Sequence, residues 1–172
     1  MDTVIREPGP ADAAALAELH VATWREAYGH LLPDAFFTPE FIAGRHRMWA
    51  RVLADPHPDM IVRVAVADGE LVGFAWAGPT PPSAPGAVGS ATGDERARER
   101  QLYAIYVSAA HHGTGVGQSL LDATLGAAPA ELWVAKENPR AIAFYVRNGF
   151  RFDGHEQTDP AAPLITDARM VR

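Results

Sequence analysis

The chain contains no cysteine. That excludes a disulfide framework, a cysteine-ligated metal and a cysteine nucleophile. Lysine is almost as scarce: Lys136 stands alone beside fourteen arginines. A P-loop must end in Gly-Lys-Ser/Thr, so that phosphate motif is excluded. No apolar run reaches the length of a membrane span, and no N-terminal apolar stretch has the form of a signal peptide. Net charge is −6, which argues against a general nucleic-acid binder. The acidic balance mildly favours cationic partners such as amines. No Ser stands in a G-x-S-x-G elbow, so a hydrolase triad is unsupported. The expectation is a soluble, cytoplasmic protein. Abundant Ala, Gly, Pro and Arg suggest a bacterial source with a GC-rich genome. With 172 residues, 48% hydrophobic and 21% charged, residues 1–172 fit one globular domain with a sizeable core.

What the chain does have is glycine in an informative place. His112-Gly113-Thr114-Gly115-Val116-Gly117 follows a strand-like run, Leu102 to Val107. It opens a helix-like run, Gln118 to Leu125. Glycine lets a ligand approach the main chain closely. The first turn of a helix carries unpaired N–H groups and partial positive charge, which together make an anion site. A dinucleotide fingerprint needs a third Gly at position 118 or 120, where Gln118 and Leu120 stand, so it fails. The remaining pattern is Gln/Arg-x-x-Gly-x-Gly/Ala, with Gly115 and Gly117 in register and His112 at the first position.

A second segment runs Asn138-Pro139-Arg140-Ala141-Ile142-Ala143-Phe144-Tyr145-Val146-Arg147-Asn148-Gly149-Phe150. It reads as a short helix. Asn138 suits an N-cap, Pro139 the first helical position, and Gly149 a left-handed stop. Ala141, Phe144, Tyr145 and Asn148 then share one part of its surface.

The glycine loop resembles the pyrophosphate loop of the GNAT superfamily of acyl-CoA-dependent N-acyltransferases. The second segment resembles that family's later signature, N-x-x-A-x-x-x-Y-x-x-x-G-F. His112 departs from the family's usual Arg or Gln. The resemblance is close from Leu102 to Phe152 and holds in outline elsewhere.

Periodicity along the chain agrees. Thr3–Arg6 is a strand candidate. Pro10 opens a helix with Ala15, Leu16, Leu19 and Thr23 at helical spacing, and His20, Trp24 and Tyr28 on another part of its surface. After a break at Gly29–Pro33, Pro39 starts a second helix carrying Phe41, Ile42, Arg45, Met48, Trp49, Val52 and Leu53. Ile61–Ala67 and Leu71–Ala77 flank an Asp-Gly turn and read as a hairpin. Residues 78–98, rich in Pro and Gly, have no period and are expected to form a mobile flap. Val116, Leu120, Leu121, Thr124 and Leu125 are the expected buried face of the next helix. Leu132–Ala135, Phe150–Gly154 and Leu164–Val171 are the last strand candidates. This order matches the GNAT order. The implied fold is α/β (α+β): a mixed, mostly antiparallel sheet of six or seven strands, with helices on both faces and strands four and five splayed.

The resemblance also implies a site. Acetyl-CoA would sit where strands four and five part, its pantetheine arm pairing with the main chain of Ile105, Tyr106 and Val107. His112, Gly113, Thr114, Gly115, Val116, Gly117 and Gln118 would hold its pyrophosphate. Asn138 would bond the pantetheine, and Tyr145 would protonate the leaving thiolate. A substrate amine with a pKa of about 10 is unprotonated in roughly one molecule in a thousand at neutral pH. A base, or waters leading to one, is therefore expected. Glu99 is the nearest acid before strand four and Glu137 the nearest after strand five. Each reads more readily as a solvated surface charge, and a water relay through Tyr103 or backbone carbonyls would also serve. Trp24, Tyr28 and Tyr103 are the candidates for the acceptor pocket, where an aromatic wall would suit an apolar body or a cation.

No metal is expected. His111 and His112 are adjacent and diverge in a loop, and His155-Glu156 lacks the later His of a zinc helix. His46 and His57 read as surface residues. Direct transfer of an acetyl group from acetyl-CoA to the amine of a small molecule is the leading expectation. A non-catalytic acetyl-CoA sensor or interaction module, and a peptide or protein N-terminal acetyltransferase, stand as alternatives. Neither a nucleic acid nor a membrane is an expected partner; base rate allows a homodimer.

Overall fold

The computed structural model describes residues 3–81, 97–158 and 162–172. Seven strands form one sheet in the order β1-β2-β3-β4-β5-β7-β6. In chain order the elements are β1 Thr3–Arg6, α1 Ala13–Tyr28, α2 Pro39–Ala54, β2 Ile61–Ala67, β3 Glu70–Pro79, β4 Arg100–Val107, α3 Val116–Thr124, β5 Glu131–Ala135, α4 Pro139–Arg147, β6 Arg151–Thr158 and β7 Thr166–Val171. β1/β2, β2/β3, β5/β7 and β6/β7 pair antiparallel. β4 and β5 are parallel, in register at Gln101↔Glu131 and Leu102↔Leu132. The expected mixed sheet is thus present, with seven strands.

The chain forms two compact units, Met1–Ala77 with Ala104–Ala127, and Gly78–Tyr103 with Ala128–Arg172. The first is built on strand alternation. Val62, Val64 and Phe74 pack with Leu16, Ala17, Trp49 and Leu53 of α1 and α2, and Ala104 and Tyr106 of β4 join them. The other face, Ala65, Ala67 and Ala75 at odd positions with Val72 brought to it by a register shift, packs on Val116 and Leu120 of α3, with Ile105 and Val107 of β4. Period-two alternation therefore gives this unit a helical layer on each face. The hairpin turn is Asp68-Gly69, φ 51° and 86°, the left-handed pair that a two-residue type I′ turn needs.

One irregularity matters. The β2/β3 register passes from Ala65↔Gly73 to Val66↔Leu71, so Val72 is an extra residue. Its carbonyl accepts the Ser108 N–H at 2.9 Å, just past β4. Beside it, a Cβ on Gly73 would stand 3.0 Å from the Tyr106 carbonyl oxygen, 3.1 Å from Leu120 Cδ1 and 3.2 Å from Val107 Cγ2. Only glycine lets β3 lie so close.

His20 sits in the α1/α2 layer, buried, with Phe74 at 5.1 Å and Tyr106 at 5.6 Å between ring centroids. Its Nδ1 accepts the Trp49 Nε1–H at 3.2 Å. Burial first, and the charge of Arg45 second, push its pKa down to about 3.

In the second unit, α4 starts at Asn138, whose Oδ1 accepts the Ala141 N–H at 3.1 Å. It ends as the sequence predicts: Gly149 has φ 87°. Phe150 N–H bonds Tyr145 C=O at 3.0 Å and Gly149 N–H bonds Val146 C=O at 3.2 Å, the paired bonds of a Schellman stop.

Several boundaries differ from the sequence reading. β3 runs on through Gly78 and Pro79, and β4 begins at Arg100. The ends of the expected flap therefore belong to strands or adjoining turns, while residues 82–96 lie outside the described residues. β6 extends from Arg151 to Thr158, not Phe150 to Gly154. Its register slips by two residues between Phe152 and Glu156, where Gly154 has φ 93°. β7 starts at Thr166 rather than Leu164, and Leu164 is exposed. His46 is half-buried, not a surface residue; His57 is exposed.

Two outcomes follow from this packing. Gly73→Ala is expected to cost about 1–3 kcal/mol in urea unfolding, because the nearest atom is backbone that cannot turn aside; a loss under about 0.5 kcal/mol would refute the close-approach argument. For His20, the unfolded chain takes a proton near pH 6.5 and the folded one only near 3. Its stabilisation is thus complete above pH 6.5 and is lost as pH falls toward 3, at up to about 1.4 kcal/mol per pH unit. His20→Gln is expected to be less stable at pH 7.5 yet to have a flatter profile of stability against pH between 6.5 and 4; an unchanged slope would contradict this.

Candidate active site

The first unit carries the glycine loop. Beyond β4, Ala109–His111 form one short 3-10 turn. Gly113 has φ 77° and Gly115, the N-cap of α3, φ 90°. Both conformations disfavour a side chain. A Cβ at either would meet nothing within 4 Å, so their backbone borders open space. Ser119 N–H makes the first bond back, to Gly115 C=O at 3.0 Å. The amides of Val116 and Gly117 precede it at the positive end of the helix dipole. Gln118 donates its carboxamide to Asp122 Oδ1 at 2.9 Å.

The loop is held from behind. The His112 ring nitrogen Nε2 lies 2.8 Å from the Val107 carbonyl oxygen, which only an N–H can approach so closely. His112 therefore carries its proton on Nε2 and pins the loop to the end of β4. His111 Nδ1 meets Ser108 Oγ at 2.9 Å, and Thr114 Oγ1 donates to His111 C=O at 2.7 Å. The two histidines serve different partners, as their adjacency predicts. Glu26 of α1 accepts the Ala109 N–H at 3.0 Å, a tie that the sequence does not reveal.

On the α1/α2 face the aromatic candidates do cluster. Trp24 stacks nearly parallel on Phe36 at 6.1 Å and meets Tyr28 edge-on at 5.3 Å. Phe41 is 5.8 Å from Trp24. The Arg45 guanidinium lies 5.3 Å from the Trp24 ring centre and 4.8 Å from that of Phe41. Sequence reading places Arg45 only as a member of the second helix. Trp24 Nε1 and Arg45 Nε are both covered and have no hydrogen-bond acceptor among the described residues.

The second unit holds the other candidates. Tyr145 is buried in the last turn of α4, its ring 5.8 Å from Phe150 and 5.5 Å from Phe144. With Oδ1 engaged in the cap, Asn138 has its amide N–H groups to offer a ligand. Tyr103 on β4 donates its hydroxyl to the Pro79 carbonyl. Burial, then the charge of Glu131, raises its pKa, so it keeps its proton at neutral pH. Glu99 is exposed in the turn before β4, where its backbone carbonyl accepts the Thr80 N–H at 2.8 Å. Glu137 is not simply solvated: it is half-buried and its Oε2 is covered without a partner among the described residues. A shallow cavity of about 300 Å³ lies beside Lys136, Ile142, Phe152 and Ala168; it contains none of the sequence-predicted residues. Among the described residues no three His, Asp or Glu side chains are grouped to hold a metal ion. No helix among them is long and apolar enough to cross a membrane.

Known proteins share this fold. The family model described as the acetyltransferase (GNAT) family matches residues 14–150. Uncharacterized N-acetyltransferases of Mycobacterium tuberculosis and Mycobacterium bovis are each 29% identical over 130 residues, covering 72% of this chain and 72% of theirs. The PaiA N-acetyltransferase of Thermoplasma acidophilum, solved with coenzyme A, superposes with a TM-score of 0.64 at 19% identity, over 100% of this chain and 99% of that one. A protein of Pyrococcus horikoshii gives a TM-score of 0.69 at 20% identity, over 99% and 98%. A ribosomal-protein-alanine N-acetyltransferase of Brucella melitensis gives 0.63 at 19% identity, over 98% of each chain. At these identities the solved structures speak for the fold. The family model spans both the glycine loop and the Asn138–Phe150 segment, and on that ground the chain belongs to the GNAT acetyltransferase family and is an acyltransferase.

Proposed function

We infer that the chain moves an acetyl group from acetyl-CoA to the primary amine of a small molecule, by direct transfer. The observation that carries this reading is the glycine loop. Gly113 and Gly115 hold left-handed conformations beside open space, directly before the N-terminus of α3. That is a cradle for phosphate oxygens, which backbone N–H groups and the helix dipole favour. A Cβ at either glycine would both strain the loop and fill the cradle, so the residues present fit a pyrophosphate. The coenzyme A in the Thermoplasma relative supports the same donor.

Bound acetyl-CoA would supply a thioester, an acyl carbon open to attack by a neutral amine. The chain's own residues would do the rest. The pin from His112 to Val107 pre-sets the loop, so little ordering remains to be done on binding. Ile105, Tyr106 and Val107 would offer main-chain groups to the pantetheine amides, and Asn138 its side-chain N–H. Tyr145 would donate its phenolic proton to the leaving sulfur; thiol and phenol pKa values of about 8.5 and 10 make that transfer accessible. Tyr103 retains its proton and spends it on the Pro79 carbonyl, so it would serve a water relay as an acceptor, not as the base. Glu99 would take the amine proton only through water, given its exposure.

Two variants test the reading with thiol release from acetyl-CoA and calorimetric binding. Tyr145→Phe is expected to lower kcat about 100-fold while acetyl-CoA affinity stays within about threefold. Gly115→Val is expected to weaken acetyl-CoA binding at least tenfold, because valine resists a φ of 90°. Full binding by Gly115→Val would overturn the assignment of the loop. Full binding without turnover on any amine would favour a sensor.

A further inference from the structure

We propose that Arg45 is a specificity residue for the acceptor, and that the acceptor is an amine that also carries a carboxylate on an apolar or aromatic body. This deepens the acetyltransferase reading and rests on it.

Among the described residues Arg45 forms no ion pair. Arg45 lies half-buried on α2, and burial draws its pKa down. A guanidinium still keeps its proton at any pH the protein meets. Partly desolvated cations normally find an oxygen: a carboxylate, a carbonyl or both. Arg45 has five N–H donors, yet its polar contact among the described residues is the thioether sulfur of Met48, 3.9 Å from Nη1. Its other neighbours include the faces of Trp24 and Phe41, and Tyr106 acts on it electrostatically without bonding Nε. Cation–π contact offsets part of the desolvation. It supplies no in-plane acceptor, and Nε remains covered and unbonded.

A second side chain in the same contact has the same need. Trp24 Nε1–H is covered and unbonded, and its ring is the one over which Arg45 lies. His20, next in the cluster, uses Nδ1 for Trp49. Among the described residues this patch therefore offers two covered N–H donors on adjoining side chains, Arg45 Nε and Trp24 Nε1, that no protein oxygen accepts. A planar carboxylate is the group that matches a guanidinium fork, two oxygens to two N–H groups. Phe36 and Phe41, packed on Trp24, provide the wall for an apolar body. The location is also relevant: His20 joins Trp24 to the Tyr106 ring of β4, at 6.2 and 5.6 Å between centroids. The Arg45 patch is thus one aromatic ring removed from the strand that carries Ile105–Val107.

The chain's net charge of −6 suggests a cationic acceptor. A local cation outweighs a diffuse charge, because interactions beyond about 10 Å are screened by salt while contact pairs are not. A polyamine would set an ammonium against the guanidinium.

The test compares matched acceptors: an aromatic amino acid, its carboxamide and its decarboxylated amine. Acetyl transfer is read for the wild type, Arg45→Met and Arg45→Lys, after each variant is shown to be folded by circular dichroism. The expected result for the wild type is a kcat/KM at least tenfold higher for the carboxylate than for either neutral partner. Arg45→Met, which keeps an unbranched stem, is expected to raise KM for the carboxylate about 10- to 100-fold, to leave kcat within about threefold, and to abolish the preference. Arg45→Lys is expected to recover part of it. Equal or better use of the decarboxylated amine by the wild type overturns the proposal, and that arm needs no variant. So does a preference that survives in Arg45→Met. Turnover of polyamines or peptides alone also overturns it while leaving the acetyltransferase reading intact. Should no amine be acetylated, calorimetry decides: carboxylate-selective binding, lost in Arg45→Met, upholds the Arg45 site although the reaction fails, and its absence refutes the site.

Discussion

The approach of β3 to β4 at Gly73 is the constraint on which the first unit depends. Where a Cβ would stand, the Tyr106 carbonyl oxygen lies 3.0 Å away. The neighbouring extra residue turns the Val72 carbonyl toward Ser108 N–H. These contacts fix the end of β4 in height and register. Everything functional in the unit is measured from there. Alternation sends Tyr106 into the α1/α2 layer and Ile105 and Val107 toward α3. The Val107 carbonyl then anchors His112, and His112 sets the loop that leads into α3. A shift of one residue would exchange the two faces. It would also carry the anchor for the loop away from its partner.

Much of this was legible because it depends on local chemistry. The Asp-Gly turn, the Asn-Pro start and the Gly stop of α4, and the glycines before α3 each need a residue type that only certain backbone conformations accept. All adopt those conformations. The buried face of α3 followed from period alone. The failures have a common cause: they depend on partners distant in sequence. β6 reads short in sequence because a two-residue slip between Phe152 and Glu156 interrupts its pairing. The slip is stabilised by Arg169, whose Nε–H meets Asp153 Oδ2 at 2.7 Å. His112 stands in sequence at the first position of the loop, but its bond to the Val107 carbonyl depends on the folded strand end and is not legible there.

Arg45 shows the same limit more sharply. An arginine on an amphipathic helix reads as a solvated charge, because sequence supplies no list of acceptors. Three-dimensional packing shows aromatic faces and a sulfur where oxygens would normally be. Trp24 and Tyr28, chosen from their spacing, do lie in one aromatic cluster. Tyr103 belongs instead to the second unit, with its hydroxyl committed to Pro79.

The cluster's electrostatics also decide what it can do. A fixed guanidinium makes a second positive charge nearby costly, and Arg45 is one reason that His20 stays neutral. A neutral buried histidine beside the proposed acceptor patch would ordinarily be a candidate base. Its accepting nitrogen, however, is already taken by Trp49 at 3.2 Å. Protonation there would break that bond and place two cations in one aromatic layer. His20 is therefore built to stay unprotonated, and the layer of α1 and α2 is suited to recognition and not to proton transfer. In the proposed reaction, amine deprotonation would then fall to water and to groups outside that layer. Such a division would allow the proposed acceptor pocket to change its occupant without disturbing the chemistry of transfer.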